Sequence, residues 1–211
     1  LKRAVELDPN RAEYHLYVGW AANDSSPADL GLAQAEIQQA LDLDKLLADA
    51  YWQRGELERK RLAVDDALRD LKRALELRPS RVDAYATMAE CYEDKNDPQT
   101  ALAMWAKAVA GNDRNPYWRY RYGKLLLDRG HASEAAPHLA FAVDEALKKD
   151  ARPPWVAPAE YSAGDALRKT GKRAEQAPMF RRFLEIASTN DPNRRDAMSA
   201  LASTGETYRP C

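Results

Sequence analysis

Apolar side chains recur at helical spacing along almost the whole chain. At its start, the apolar residues at positions 1, 4, 5 and 7 share one face of a helix, and Pro9 follows as a stop signal. The segment 1–9 returns almost unchanged as 71–79, an offset of 70 residues. Such a recurrence indicates one helical unit that is repeated along the chain. The pattern therefore predicts an all-α protein built from repeated pairs of helices.

Small and large residues occupy fixed places in a unit of 34 residues, and in this the chain resembles the tetratricopeptide repeat, a helix–turn–helix unit. In that family, residues 4, 11 and 24 of the repeat are large, whereas residues 8, 20 and 27 are small. The small residues let two helices approach closely, and the large ones fill the spaces between them. In the copy that starts at Val82, these positions are held in chain order by Tyr85, Ala89, Tyr92, Ala101, Trp105 and Ala108.

The resemblance implies a right-handed α-solenoid with a C-terminal capping helix, which covers the open face of the last repeat. Asp191 and Pro192 predict the start of that helix, with Asp191 as its N-cap. The stretch 143–156 is too long for the repeat and predicts an extended helix followed by a proline-stiffened connection. The predicted organisation is a single solenoid over 1–205, with the second helix of a truncated repeat at 1–11, repeats at 12–47, 48–81, 82–115 and 116–149, a degenerate repeat at 155–190, the capping helix at 191–204 and a tail at 206–211.

The charge balance and the absence of long apolar runs remove several classes of protein. The 211 residues include 32 basic and 33 acidic side chains, and the net charge of −1 gives no overall attraction to nucleic acid or to an anionic membrane. No apolar run approaches the ~18 residues of a membrane span, so no membrane insertion is expected. Because the chain begins with Leu1 and shows no signal segment, we expect a fragment of a longer protein. A cytoplasmic location is favoured, and a periplasmic one stays open.

No group of residues has the spacing of a catalytic, cofactor-binding or metal site. His15 occupies repeat position 4, where a packing role is expected, and His131 and His138 stand too far apart on one helix to share a metal. The glycines within 164–172 fit the repeat better than a phosphate loop. Cys91 falls between core positions, which favours a packing thiol, and nearly all carboxylates fall at positions expected to face solvent. The sequence therefore predicts a protein without enzymatic activity, cofactor or metal.

In tetratricopeptide-repeat proteins, which this chain resembles, positions 2, 5, 9 and 12 of each repeat lie on its first helix and line a concave groove that binds peptides or other proteins. Two features stand out at these positions: large aromatic side chains that the core pattern does not explain, and acidic side chains in the middle repeats with basic ones beside them. Packing of the aromatics on neighbouring helices and an ordinary solvated charged face are the open alternatives. The predicted partner-binding residues are Trp20, Trp52, Glu56, Asp83, Glu90, Glu93, Tyr117, Tyr120, Arg121, Lys124 and Tyr161.

The expected partner is another protein or peptide with apolar anchors and basic flanks, and the acidic groove disfavours nucleic acid. Related co-chaperones hold acidic peptides with Lys, Asn and Arg, but here the corresponding positions carry Leu16, Trp20, Gln53, Asp83 and Thr87. The leading function is thus a protein-interaction scaffold in a bacterial assembly such as secretion, pilus or motility, or envelope biogenesis. The alternative is a regulatory or docking domain of a larger protein whose catalytic part lies upstream.

Overall fold

The computed structural model describes residues 2–148, 153–206 and 208, and this part of the chain contains α-helices and no strand. Helices make up 75% of these described residues. The prediction of an all-α helical repeat protein is confirmed, and the handedness stays a prediction. The helices are α1 (Lys2–Leu7), α2 (Ala12–Asp24), α3 (Leu30–Leu43), α4 (Ala48–Lys60), α5 (Val64–Leu77), α6 (Asp83–Asp94), α7 (Pro98–Gly111), α8 (Pro116–Asp128), α9 (Ala132–Leu147), α10 (Val156–Lys169), α11 (Arg173–Ile186) and α12 (Arg194–Ala202).

The chain divides into two compact units, Leu1–Gly111 and Asn112–Cys211. In the first unit, α2 packs on α3, α4 on α5 and α6 on α7, and the first helices α2, α4 and α6 contact one another in that order. In the second unit, α8 packs on α9 and α10 on α11, while α12 packs against α11. Within each unit, a helix pair is therefore the element that repeats.

The two helices of a repeat approach most closely where a small residue of the first helix meets a large residue of the second. A Cβ atom added to Gly55 would lie 2.8 Å from Cγ of Leu71 and 3.3 Å from the carbonyl oxygen of Ala67. In the third repeat the same places are held by Ala89 and Trp105, which have no exposed surface. The equivalent Cβ distances are 2.7 Å from Gly19 to Ile37, 2.9 Å from Gly123 to Leu139 and 2.9 Å from Gly164 to Phe180.

The turn inside a repeat uses a residue with a left-handed backbone, two positions after the first helix ends. Four of these turns carry Leu62, Asn96, Gly130 and Gly171, whose φ angles are 64°, 56°, 85° and 77°. Glycine adopts this conformation without a penalty and asparagine does so with a small one, whereas a leucine is strained there. The side chain of Leu62 is 80% exposed, so few contacts offset that strain.

The capping helix begins later than its sequence predicts. α12 starts at Arg194, and the residue before it is Asn193. Asp191 acts in a turn ahead of the helix, where its carboxylate accepts a hydrogen bond of 2.8 Å from the backbone N–H of Asn193. The prediction of Asp191 as the N-cap is therefore wrong, because its side chain bonds an N–H group that lies before the first helical residue.

The connection between α9 and α10 is described only in part. α9 extends to Leu147, and residues 149–152 of the predicted long stretch lie outside the described residues. Pro153 and Pro154 come immediately before Trp155, and Trp155 directly precedes α10.

His15 ties together three segments at the start of the first unit. Its Nδ1 lies 2.7 Å from Oε2 of Glu36 on α3, and its Nε2 lies 2.9 Å from the carbonyl oxygen of Pro9 in the turn before α2. Both neighbours accept hydrogen bonds, so the ring satisfies both only when both nitrogens carry a proton. Burial lowers the pKa of His15, but the hydrogen bond to Pro9 and the hydrogen bond and charge of Glu36 outweigh it and leave the pKa raised. The two acceptors therefore favour the charged form of this buried imidazole.

Replacing Gly55 by alanine should lower the free energy of unfolding by about 1–3 kcal/mol, because the added methyl group overlaps Leu71. The matched control is Gly31→Ala in α3, where the nearest atom to the new Cβ is Oδ1 of Asp29 at 3.7 Å. That control should be neutral or stabilising by up to about 1 kcal/mol through helix propensity. Urea unfolding followed by circular dichroism measures both, and equal effects would contradict the packing role of Gly55.

Replacing Leu62 by glycine should raise the free energy of unfolding by about 1 kcal/mol, because the left-handed backbone is no longer strained by a Cβ atom. The reverse test is Gly130→Ala at the equivalent turn, which should lower the free energy of unfolding by about 1 kcal/mol. Thermal melting compares the two variants. A lower melting temperature for Leu62→Gly would show that contacts of the leucine outweigh its strain.

Stability should fall as the pH rises through the titration of His15. Because the folded pKa is raised, the stabilisation is complete below the unfolded pKa of about 6.5 and is lost as the pH passes the folded value. An NMR titration of the ring should show a pKa above about 6.5, and Glu36→Gln should lower it. The same pKa of His15 in Glu36→Gln as in the unchanged protein would refute the contact between the charged ring and Glu36.

Candidate functional site

The first helices of the first unit present one surface made from repeat positions 2, 5, 9 and 12. Six of the predicted partner-binding residues lie on it, and the other five lie in the second unit. We call it the inner-helix surface, and its members used below are Trp20, Trp52, Glu56, Arg59, Asp83, Glu90 and Glu93.

Two tryptophans from neighbouring helices contact each other on the inner-helix surface. The ring centroids of Trp20 and Trp52 are 5.6 Å apart and their planes are nearly perpendicular, an arrangement that aromatic rings favour. The indole N–H of Trp20 donates to the carboxylate of Asp24 at 2.7 Å, and that of Trp52 donates to Oγ1 of Thr87 at 3.3 Å. Both rings are half-buried, so each is fixed in place and still offers apolar area.

A cationic side chain also packs against the ring of Trp52. The guanidinium of Arg81, the second residue before α6, lies 3.9 Å from the ring centroid, which is a close cation–π contact. Arg81 is held there by Asp49 at 3.5 Å and by Asp83 at 3.7 Å. The sequence treats Trp52 as an open anchor, but one face of its ring is already covered by this arginine.

The acidic side chains of the inner-helix surface have partners within the unit. Glu90 pairs with Arg59 at 2.9 Å, and Glu56 accepts a hydrogen bond from the hydroxyl of Thr87. Glu93 accepts a hydrogen bond of 2.5 Å from the indole N–H of Trp105. Carboxylates still outnumber cations on and beside the surface. The carboxylates are Asp24, Asp49, Glu56, Asp83, Glu90, Glu93 and Asp94, and the cations are Arg59, Lys60, Arg78 and Arg81.

The predicted residues of α8 form an aromatic cluster in the second unit. The ring of Tyr120 stacks on Trp155, with centroids 5.6 Å apart, and Tyr117 lies 6.1 Å from Trp155 and 6.5 Å from Tyr120. Tyr120 is only 9% exposed, so it is part of the packing more than an open anchor. Arg121 donates to the hydroxyl of Tyr117 at 2.7 Å, and Lys124 forms an ion pair with Asp128, the last residue of α8.

Tyr161 fastens the capping helix to the fifth repeat. Its ring lies 5.8 Å from Phe180 and 5.3 Å from Phe183, and its hydroxyl donates to the carboxylate of Asp196 on α12 at 2.9 Å. Arg168 bonds the other oxygen of Asp196 at 3.0 Å. Burial, and after it the hydrogen bond to Asp196, raises the pKa of Tyr161 to about 12. These contacts give Tyr161 a structural task that its repeat position does not reveal.

Two ion pairs with a buried carboxylate are exceptions to the expectation that nearly all carboxylates face solvent. Glu160 has no exposed surface, and both of its carboxylate oxygens accept from Nε of Arg182 at 3.1 Å. Asp70 is 8% exposed and binds Nε and Nη2 of Arg54 at 2.6 and 2.8 Å. The signal for the first pair is a glutamate at repeat position 4, where a large apolar residue is usual.

The described residues contain no group of three or more His, Cys, Asp or Glu side chains that could hold a metal ion. Cys91 is fully buried, and burial raises the pKa of its thiol to about 12, which suits a packing role. Burial, assisted by the charge of Arg119, lowers the pKa of His138. Among the described helices, none is long and apolar enough to cross a membrane.

The chain has the fold of tetratricopeptide-repeat proteins, with helix pairs that meet at a small residue and turns that contain a residue with a left-handed backbone. It resembles the crystal structure of YrrB, described as a TPR protein with an unusual peptide-binding site, with a TM-score of 0.64 and 22% identity over 97% of each chain. It also resembles the MamA protein, with a TM-score of 0.62 and 18% identity over 94% of this chain and 98% of that one. No family model matches the chain.

One curated relative and one solved structure that resemble this chain are the same bacterial protein. The chain is 32% identical over 99 residues to the type IV pilus assembly protein PilF of Pseudomonas aeruginosa. That match spans 47% of this chain and 39% of the relative, so it covers less than half of either. The structure of Pseudomonas aeruginosa PilF superposes with a TM-score of 0.78 and 16% identity, over 92% of this chain and 85% of that one.

Proposed function

We propose that the protein is an interaction scaffold that binds a segment of a partner protein on the inner-helix surface of its first unit. The observation that carries the proposal is the half-buried Trp20–Trp52 pair on a surface with surplus negative charge. The likeness to a TPR protein described as peptide-binding and to a pilus assembly protein supports it. We place the scaffold in a bacterial assembly of the cell envelope, of the same kind as type IV pilus assembly.

The arrangement favours a partner segment with one or two apolar anchors and basic residues beside them. Tryptophan is enriched among the residues that dominate binding energy, because it offers a large area that loses little entropy on binding. The contacts to Asp24, Thr87 and Arg81 hold the two rings in place before the partner arrives, which lowers the ordering cost further. The surrounding carboxylates attract a basic segment and repel nucleic acid.

Peptides selected from a random displayed library against this protein should depend on the tryptophan pair. Trp20→Ala should weaken a selected peptide by at least about tenfold in titration calorimetry, because the removed ring is a central anchor. The matched control is Leu46→Ala, which removes a 67% exposed apolar side chain from the turn between α3 and α4. Asp83→Asn should change the association rate and its salt dependence more than the dissociation rate.

Circular dichroism melting of each variant separates loss of binding from loss of folding, and Trp20→Phe, which keeps a ring, should recover part of the affinity. Unchanged affinity in both Trp20→Ala and Trp52→Ala would exclude the inner-helix surface as the binding site. An equal loss in Leu46→Ala would show that the peptides bind apolar surface without regard to its position.

A further inference from the structure

A second surface of the first unit is a cleft along α5, with walls supplied by side chains of α4 and α6. The cleft measures about 810 Å³, and we call it the α5 cleft. Its lining holds three carboxylates and five cations. The cations are Arg54, Arg69, Lys72, Arg73 and Lys95. None of these residues belongs to the inner-helix surface, and the surplus charge here is positive.

The cations of the α5 cleft differ in how firmly they are held. Arg54 is fixed by its bidentate contact with Asp70, a pair in which both side chains are mostly buried. Arg69, Arg73 and Lys95 instead pair with carboxylates whose side chains are 57%, 64% and 82% exposed. Exposed pairs of this kind contribute little to stability, because water screens the attraction between the two charges. A carboxylate from outside can therefore replace the present partners of these three cations at little cost.

One cation of the cleft has no such partner to lose. Lys72 is exposed and forms no ion pair or hydrogen bond with any residue that the structure describes. The ring of Tyr51 lines the same cleft, and the guanidinium groups of Arg54 and Arg73 lie 5.4 Å and 6.0 Å from its centroid. The ring limits the positions that Arg73 adopts, so its guanidinium is partly placed before any ligand arrives.

We propose that the α5 cleft binds an acidic segment of a partner protein. Charge complementarity carries the choice, because the cations outnumber the carboxylates in the cleft and the most exposed of them are unpaired or weakly paired. The rings of Tyr51 and Tyr92 supply apolar wall for the aliphatic part of glutamate side chains. The volume lies within the range of about 300–1,000 Å³ that is usual for ligand clefts. This inference does not rest on the proposed inner-helix site. It gives the scaffold a second binding surface, whose surplus charge is positive where that of the inner-helix surface is negative.

A capped, fluorescently labelled decapeptide rich in glutamate tests the cleft by anisotropy at 150 mM salt, a concentration at which distant charges are screened within about 8 Å. The double variant Arg69→Glu/Lys72→Glu should weaken its binding at least about tenfold. The matched control Lys45→Glu/Lys107→Glu makes the same change in net charge at exposed lysines outside the cleft and should stay within about twofold of the unchanged protein. Trp20→Ala should have no effect on this peptide, which keeps the test separate from that of the inner-helix surface.

Three results would overturn the proposal. The first is a glutamate peptide that shows no saturable binding, or that binds no better than a lysine peptide of equal length. The second is an equal loss in the two double variants, which would reveal a general response to net charge. The third is a single-stranded oligonucleotide that binds and is lost in Arg69→Glu/Lys72→Glu while the peptide does not bind, which would assign the cleft to nucleic acid.

Discussion

The contact between position 8 of a first helix and position 24 of the second helix sets the spacing of every repeat. At Gly55 there is no room for a single methyl group against Leu71, and the same is true at Gly123 against Leu139. Where alanine takes position 8, as at Ala89, position 24 is Trp105, and neither residue has exposed surface. Packing at this density leaves the two helices of a pair little freedom to slide. The side chains on the other faces of the first helices are therefore presented in a repeating register.

Because of that register, the side chain at position 5 lies near the turn that precedes the next first helix in the same unit. Leu16 shares a hydrophobic cluster with Leu47, which directly precedes α4. The ring of Trp52 contacts the guanidinium of Arg81, from the turn before α6, and Tyr120 stacks on Trp155, which directly precedes α10. One geometry thus accepts an aliphatic contact, a cation–π contact and an aromatic stack. The turn before a first helix helps to decide which chemistry each repeat offers to a partner.

The sequence predicts what depends on periodicity and residue size, and it misses what depends on individual side-chain conformations. The helix pairs and the close contact at Gly55 follow from spacing alone, because both repeat in phase. The placement of Arg81 on Trp52 does not, since it joins residues 29 positions apart in different repeats through a flexible side chain. The buried pair of Glu160 and Arg182 breaks the size rule at position 4, and its compensation lies on another helix. The repeat position of Tyr161 predicts a partner-binding residue, but its hydroxyl donates a hydrogen bond to Asp196 on the capping helix.

Net charge is a poor guide to the partners of such a chain, because charges act over a distance shorter than the molecule. At physiological salt an exposed charge is screened within about 8 Å, so a ligand responds to the few side chains beside it. A total of −1 is the sum of surfaces with opposite signs: carboxylates dominate around Trp52, and cations dominate in the α5 cleft. The two differ further in how their charges are held. Glu90 and Glu93 have partners on side chains that are largely buried, whereas Arg69 and Lys95 face carboxylates that are mostly in water. The inner-helix surface therefore selects a partner by shape and apolar area, and its charge mainly steers the approach. The α5 cleft selects a partner chiefly by exchanging its present ion pairs for new ones.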